Sequence, residues 1–427
     1  MIDWDDPLSN SKENSKPINT LAESYARSDV LNGMAIEQDE TTEKEPNSTV
    51  VKPVDNSVDN LVKTSVKQDA NTPPISASLA QNQIQEQHNN HLSTEPVKAS
   101  KKRVINGLSD VNQLAPFKYP WAWEYFLNAN KNHWTPLDIN MAQDVHDYQH
   151  TLTKHEQHVY ENVLAYLTTS DILAMRNIGL AVMEKMTAPE LQIYQARQVY
   201  EEALHTWTYQ HCIETIGLDQ GEIYNRYRVV PAINGKIQLA NRRLNSVMRS
   251  DMDLTNADEL NNFVMAYSFF AGVFEGCWFY NGFTPIFSLQ RRGLMKGTAE
   301  QLQYIMRDEV LHASFGIRVV KQIMLENDVT LDPKAIRDMW DESEAAEISY
   351  AHYILRNSIL GYTADDHVEQ FRFIANRRAR QLGFEEPFPG SQNRTPWLDE
   401  QATMRKEKNF FETRVTEYQT GGALNWD

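Results

Sequence analysis

Cysteine is nearly missing from this chain, which holds two thiols, Cys212 and Cys277, in 427 residues. Both sit in apolar, helix-like patterns, which fits buried free thiols in a reducing cytoplasmic compartment better than a disulfide framework. So few cysteines also argue against iron-sulfur or copper chemistry, which draws on thiolate ligands. No signal peptide is legible, since MIDWDDPLSNSKEN lacks an apolar core. Uninterrupted apolar runs of membrane-spanning length are absent as well. The longest candidate, FVMAYSFFAGVFEGCWFYNGF, carries Glu275 in its middle, so a buried core helix built around a paired carboxylate is expected rather than a span. Positive charge is in deficit. The formal net charge of -17 argues against nucleic-acid binding through the phosphate backbone. Alternating strand patterns and βαβ repeats are nearly absent too, which leaves an all-α architecture.

Aromatics are scarce in one region only. Residues 1–105 contain just Trp4 and Tyr25 and are filled with Asn, Ser, Thr, Gln, Lys and Glu. Stretches such as EQDETTEKEPNST cannot bury enough surface to offset their ordering entropy, so a mostly disordered extension is expected, with one short helix near residues 18–34. From residue 106 the chain becomes rich in Trp, Phe, Tyr, Met and Leu and reads as one helical domain to about 385, followed by a polar tail over 386–427.

Within that domain, Thr153 followed by Glu156 forms a capping-box pattern ahead of a long helix that runs past Asp171. Pro189 opens a second helix that Gly217 ends, and it holds RQVYEEALHTWTYQHC. Offsets of three and four residues put Glu202, His205 and Tyr209 on one side of it. Gly272, Gly276 and Gly282 in the next apolar helix cost about 1 kcal/mol each in a helix interior and point to a local distortion near Glu275. A later helix carries YIMRDEVLHASFG, with Glu309 and His312 three apart.

One Glu-x-x-His is a weak signal, and alone it reads as a capping or surface pair ahead of a metal ligand. Two copies, with one further carboxylate from each of two other helices, form the ligand set of a di-metal carboxylate bundle. The candidates are Asp171, Glu202, His205, Glu275, Glu309 and His312. Four carboxylates and two neutral imidazoles balance two divalent ions, and oxygen-rich ligands suit iron or manganese. Glu201 lies about 100° around the helix from Glu202 and is the weaker ligand candidate. The His-rich HEQH at 155–158 and His146 fall in polar surroundings, where solvated roles are expected. Tyr209 by itself reads first as a buried phenol bonded to a nearby acid, with an oxidisable group shielded from solvent as the alternative.

The stretches TTSD at 168–171, EEALHTWTY at 201–209, FEGCWFYNGF at 274–283, MRDEVLH at 306–312 and TRVTEYQTGG in the tail resemble the radical-generating small (beta) subunit of class I ribonucleotide reductase. The resemblance runs from about residue 103 to the end of the sequence, and the steps of 31 residues from Asp171 to Glu202 and 34 from Glu275 to Glu309 fit the family's pattern. It implies a ferritin-like helical bundle holding two iron ions, oxo-bridged when oxidised, with manganese as the alternative metal. Asp171 and His205 would serve one ion, Glu275 and His312 the other, and Glu202 and Glu309 would bridge. Tyr209 would hold the tyrosyl radical generated with O2. Tyrosine there, together with Asp at 171, favours the di-iron type over the branch that has phenylalanine and a manganese-iron pair.

The same resemblance implies a radical route through Trp134 in NHWTP, with Asp308 as its acidic partner, to Tyr418 in the tail, which would dock on the large catalytic subunit. The implied activity is reduction of ribonucleoside diphosphates to deoxyribonucleoside diphosphates for DNA replication, by a homodimer working with that large subunit. The N-terminal nucleotide-sensing domain that some branches of the family carry has no counterpart legible in residues 1–100. Two other readings keep the helices and metals: a ferritin-like ferroxidase, and a di-iron monooxygenase or desaturase, which needs a substrate-sized cavity beside the metals. A helical scaffold without metals is a third.

Overall fold

Helix starts and stops follow the local signals closely. Thr153 caps the helix Lys154–Asn177 (α2) with the reciprocal Thr153–Glu156 box in place, and the shorter helix Pro120–Ala129 (α1) precedes it. Helix α3, Pro189–Ile216, begins with proline in its first turn and ends on Gly217 at φ 83°, a left-handed position that glycine takes without a Cβ clash. Then come Gln220–Val229 (α4), Pro231–Asn245 (α5) and Ala257–Ser268 (α6). Helix α6 continues into a π-helical segment, Phe269–Phe279, and Thr284–Arg291 (α7) follows. Lys296–Asn327 (α8), Pro333–Ile354 (α9), Ala364–Leu382 (α10) and Pro396–Thr403 (α11) are the remaining longer helices among the described residues.

The computed structural model describes residues 97–403, apart from 108–110, 112 and 360, and the side chains of 400–403. The chain divides into two units, Ser11–Ser93 and Thr94–Asp427 with Met1–Asn10, and every described residue lies in the second. The helix expected near 18–34 and the tail carrying Tyr418 both fall outside the described residues. Among those described there is no strand, only an isolated bridge between Ile359 and Tyr362.

Helices α2 and α3 pack side by side, and α8 packs along the π-helical segment, so four helical stretches enclose one interior. Around them, α1 packs on α3, α4 on α2, α9 on α5 and α10 on the π segment. The apolar run Ala257–Arg291 is long and apolar enough to cross a membrane by composition, yet 94% of its most apolar window is buried inside this protein. The packed body also begins before 106. Lys102 and Val104 are fully buried, because the Lys102 ammonium reaches the Leu114 carbonyl (2.9 Å) and the Val104 amide donates to Glu326 (2.9 Å). Likewise the segment after 385 is packed in part, with the Asn376 side chain bonding Phe388 in both directions and Leu398 fully buried.

The π-helical segment is where glycine matters. A Cβ on Gly276 would stand 2.8 Å from the Ala271 carbonyl and 3.0 Å from Arg378 Nε, the same group that donates to the Gly276 carbonyl (3.0 Å). On the facing helix, a Cβ on Gly316 would meet the Ala271 Cβ at 2.6 Å. Backbone must move to admit it, so Gly316→Ala is expected to cost about 1–3 kcal/mol in urea unfolding. A loss within experimental error would mean that the two helices separate freely there.

Candidate metal centre

Each of the four central stretches delivers its acids inward at a helical offset. Asp171 comes from α2, Glu202 and His205 from α3, Glu275 from the π-helical segment, and Glu309 and His312 from α8. All six are at most 1% exposed. They gather into two sets whose ligand atoms lie within 4.8 Å of one another: Asp171, Glu202, His205 and Glu309, and then Glu202, Glu275, Glu309 and His312. Glu202 and Glu309 belong to both. The His205 Nδ1 lies 3.4 Å from Asp171 and 3.3 Å from Glu309. The His312 Nδ1 lies 3.1 Å from Glu202 and 3.6 Å from both Glu275 and Glu309.

These inward atoms are the ones left without hydrogen bonds. Both oxygens of Asp171, Glu202, Glu275 and Glu309, and the Nδ1 atoms of both histidines, have no hydrogen-bond partner, although buried polar atoms are nearly always satisfied. Ten orphaned donor-type ligand atoms converging on one buried space fit two metal ions. Electrostatics agree. Burial, with the neighbouring carboxylates adding to it, pushes Asp171, Glu202 and Glu275 above the usual carboxyl range. For Glu309 burial acts upward too, but the two histidines prevail and hold it below. Burial opposes charging of His205 and His312, and the acids facing them win, raising both. The protons held among these groups are those that divalent ions displace on binding.

Tyr209 is fully buried one turn beyond His205, and its hydroxyl has no hydrogen-bond partner. Burial first, then the charges of Asp171 and Glu309, raise the phenol well above its usual value, so it stays protonated. Phe279 and Phe283 are fully buried, their ring centroids 6.5 Å apart, and Ile305 is fully buried as well. A cavity of about 540 Å³ is lined by Ile172, Leu173, Arg176, Tyr224, Tyr227 and neighbouring residues, and none of the six acids and histidines lines it.

Outside this ring the structure brings in residues that spacing alone did not reveal. Asp308 is fully buried, with Oδ2 3.2 Å from His205 Nε2. Its other oxygen accepts from the Asn132 amide at 2.6 Å, and that amide also donates to the Tyr304 carbonyl at 3.0 Å. Trp134 lies in the same loop but stacks flat on Tyr304 at 5.3 Å, its Nε1 without a partner. The group on Asp308 is therefore Asn132, two residues before Trp134, because the amide points at the acid while the indole packs on a ring. Glu201 is the larger omission. Although it points away from Glu202 around the helix, it is fully buried and touches His312 Nε2 at 2.9 Å. The EE doublet in EEALH was its only sequence signal. His155 and His158, expected to be solvated, instead contact the backbone carbonyls of Asn357 and Tyr353. The His146 side chain is 61% exposed, as its polar surroundings suggested.

A family model described as "Ribonucleotide reductase, small chain" matches residues 111–396. A ribonucleoside-diphosphate reductase subunit beta from Chlamydia pneumoniae is 38% identical over 335 residues, covering 77% of this chain and 96% of its own length. A ribonucleoside-diphosphate reductase small subunit from Dictyostelium discoideum is 30% identical over 315 residues, covering 73% and 87%. Among solved structures, a ribonucleotide reductase R2 subunit from Clostridium botulinum matches with a TM-score of 0.63 at 22% identity, over 70% of this chain and 94% of that one. An R2-like ligand-binding oxidase with an Mn/Fe cofactor matches with a TM-score of 0.53 at 18% identity, over 64% and 94%. Those two likenesses bear on the fold alone. The family match spans residues 111–396, which hold all six inward-facing acids and histidines, and the two sequence relatives each cover about three quarters of the chain, so this chain belongs to the ribonucleotide reductase small-chain family.

Proposed function

We propose that this chain is the radical-holding small subunit of a ribonucleoside-diphosphate reductase, using two iron ions and Tyr209. The observation that carries the reading is the pair of ligand sets sharing Glu202 and Glu309, with a buried tyrosine one turn from His205. Asp171 and His205 would hold one ion, Glu275 and His312 the other, and Glu202 and Glu309 would lie between them. When bound, reduced iron supplies electrons to O2 and so provides the oxidising equivalent, a task zinc cannot perform. Tyr209 would supply the third of the four electrons that O2 takes up, its phenolic proton passing to the reduced oxygen, and a separate one-electron donor the fourth; the full burial of Tyr209 keeps water and reductants from the resulting radical. Manganese remains the alternative metal, since oxygen-rich ligands suit it as they suit iron.

Asp308 behind His205, and Trp134 stacked on Tyr304, stand on the proposed route of the radical out of the site. Tyr418, outside the described residues, would carry it across to a large catalytic subunit docked on the C-terminal tail. That subunit would convert ribonucleoside diphosphates to deoxyribonucleoside diphosphates, and this chain would act as a homodimer in the cytoplasm. Both cysteines are buried free thiols, which suits a reducing compartment and leaves the nucleotide-reducing thiols to the partner.

The test is anaerobic Fe(II) loading followed by O2, read by metal analysis and electron paramagnetic resonance (EPR). Two irons per chain and an organic radical signal are expected; two irons without a radical would remove Tyr209 from the reading and favour a ferroxidase. For the tail, Tyr418→Phe is expected to leave the radical signal intact while turnover with the large subunit drops to background. Normal turnover in that variant would take Tyr418 out of the route.

A further inference from the structure

The two ligand-bearing histidines present the same atom inward. Each turns Nδ1 toward the shared carboxylates and Nε2 outward. A ligating imidazole whose outer N–H donates to a carboxylate is fixed in tautomer and ring angle and made a better donor. His205 has Asp308 in that place. His312 has Glu201.

Glu201 is built for the task. Its Oε2 accepts from His312 Nε2 at 2.9 Å, and its Oε1 accepts from Arg197 Nε at 2.8 Å, one helical turn earlier on α3. Both carboxylate oxygens are thus committed, and the carboxylate itself is fully buried. Arg197 is in turn held over the Tyr200 ring, 4.8 Å from its centroid, and its side chain is 15% exposed. A chain of contacts therefore runs from the surface of α3 inward to the atom His312 turns toward Glu202 and Glu275. Burying a carboxylate costs several kcal/mol unless partners offset it, and a structural role on α3 alone would be met by any apolar residue. Contact with the outer nitrogen of one particular histidine is what the burial accomplishes.

We infer that Glu201, anchored by Arg197, is the positioning residue for the metal ion on the Glu275 and His312 side, and that it sets that ion's affinity separately from its neighbour's. This rests on the metal-centre reading above and adds a residue to it. Within one ion's set the inward ligands are one histidine, one private carboxylate and the two shared ones, and the other set has the same composition. The two sites are distinguished by what stands behind their histidines: Asp308 held by the neutral Asn132 amide, or Glu201 held by a guanidinium.

The experiment is anaerobic titration of the metal-free full chain with Mn(II), counting free ion by its EPR signal and recording the bound-ion spectrum. Wild type is expected to take up two ions. Glu201→Gln keeps shape and loses charge, so one of the two should weaken by about 10- to 100-fold, the cost typical of removing an outer carboxylate from a ligating histidine, while the other stays within about threefold. The bound-ion spectrum should change for the weakened site. Arg197→Gln, at a partly exposed position, should weaken the same ion by a smaller factor, and it keeps the test open if the Glu201 variant does not fold. Isotherms and spectra that overlay wild type in both variants overturn the inference, as does equal weakening of both ions, which a general loosening of the bundle would give. Absence of any Mn(II) uptake by wild type would instead sink the metal centre itself.

Discussion

Replacing Tyr209 with phenylalanine is expected to abolish the organic radical signal completely while leaving two metal ions per chain and a folded bundle. The phenol oxygen has no hydrogen-bond partner, so its loss leaves no buried donor or acceptor newly stranded. Stability should change by no more than about 1 kcal/mol. The ring itself is retained, so the wall beside His205 keeps its shape. What disappears is the proton-bearing oxygen. A phenol can give up an electron together with that proton, whereas a phenylalanine ring has no acidic proton to release and is far harder to oxidise. Turnover with the large subunit should fall to background. The outcome that defeats this is a radical of undiminished intensity in Tyr209→Phe, which would place the oxidised group elsewhere. A variant that loses its metals as well would show that the phenol is part of the wall supporting Asp171 and His205 rather than the radical carrier alone.

The second large effect concerns a charged group far from any ligand role. Lys236 is fully buried, donates to Glu347 at 2.6 Å and lies over the rings of Tyr166, Tyr350 and Trp278 at 3.9, 4.5 and 4.8 Å. Glu347 also accepts from Asn281 at 2.9 Å and contacts His367 at 2.7 Å, and His367 contacts the Tyr362 hydroxyl at 2.6 Å. This network joins α5, α9 and α10 behind the π-helical segment. Burial opposes charge on both partners, lowering Lys236; for Glu347 the ammonium and His367 prevail and hold it at about 2.

Lys236→Met leaves a buried carboxylate without its cation and is expected to cost about 3–5 kcal/mol. Adding Glu347→Gln should restore part of that loss, since an amide can still accept from Asn281 without carrying charge. Urea unfolding of metal-free protein reads both. A single-variant loss below about 1 kcal/mol would show that water reaches the pair. The pH dependence has a definite sign. A depressed carboxyl contributes stability that is present above its ordinary value of 4.5 and lost as pH falls toward about 2. Wild type should therefore lose stability more steeply than the double variant across that window.

Much of the site was readable in one dimension because its spacing is helical. Glu202, His205 and Tyr209, and likewise Glu309 and His312, share a face by offsets of three and four. Thr153 with Glu156, and Pro189 with Gly217, mark helix ends by chemistry that needs no tertiary partner. Even the distortion around Glu275 was announced by its glycines, and it takes the form of a π-helical stretch. Glu201 could not be read in that way, because its direction around α3 leads away from Glu202 and only the approach of α8 supplies His312. Asn132 took the place beside Asp308 for a similar reason: loop conformation decides whether an amide or an indole meets the acid, and no periodicity encodes it. Lys236 and Glu347 are 111 residues apart and carry no motif. Residue type and helical period thus determine which groups share one helix face, while the pairing of faces from different helices, which selects the partners of His312, Asp308 and Lys236, is settled only when the bundle closes and every buried charge must find a counterpart.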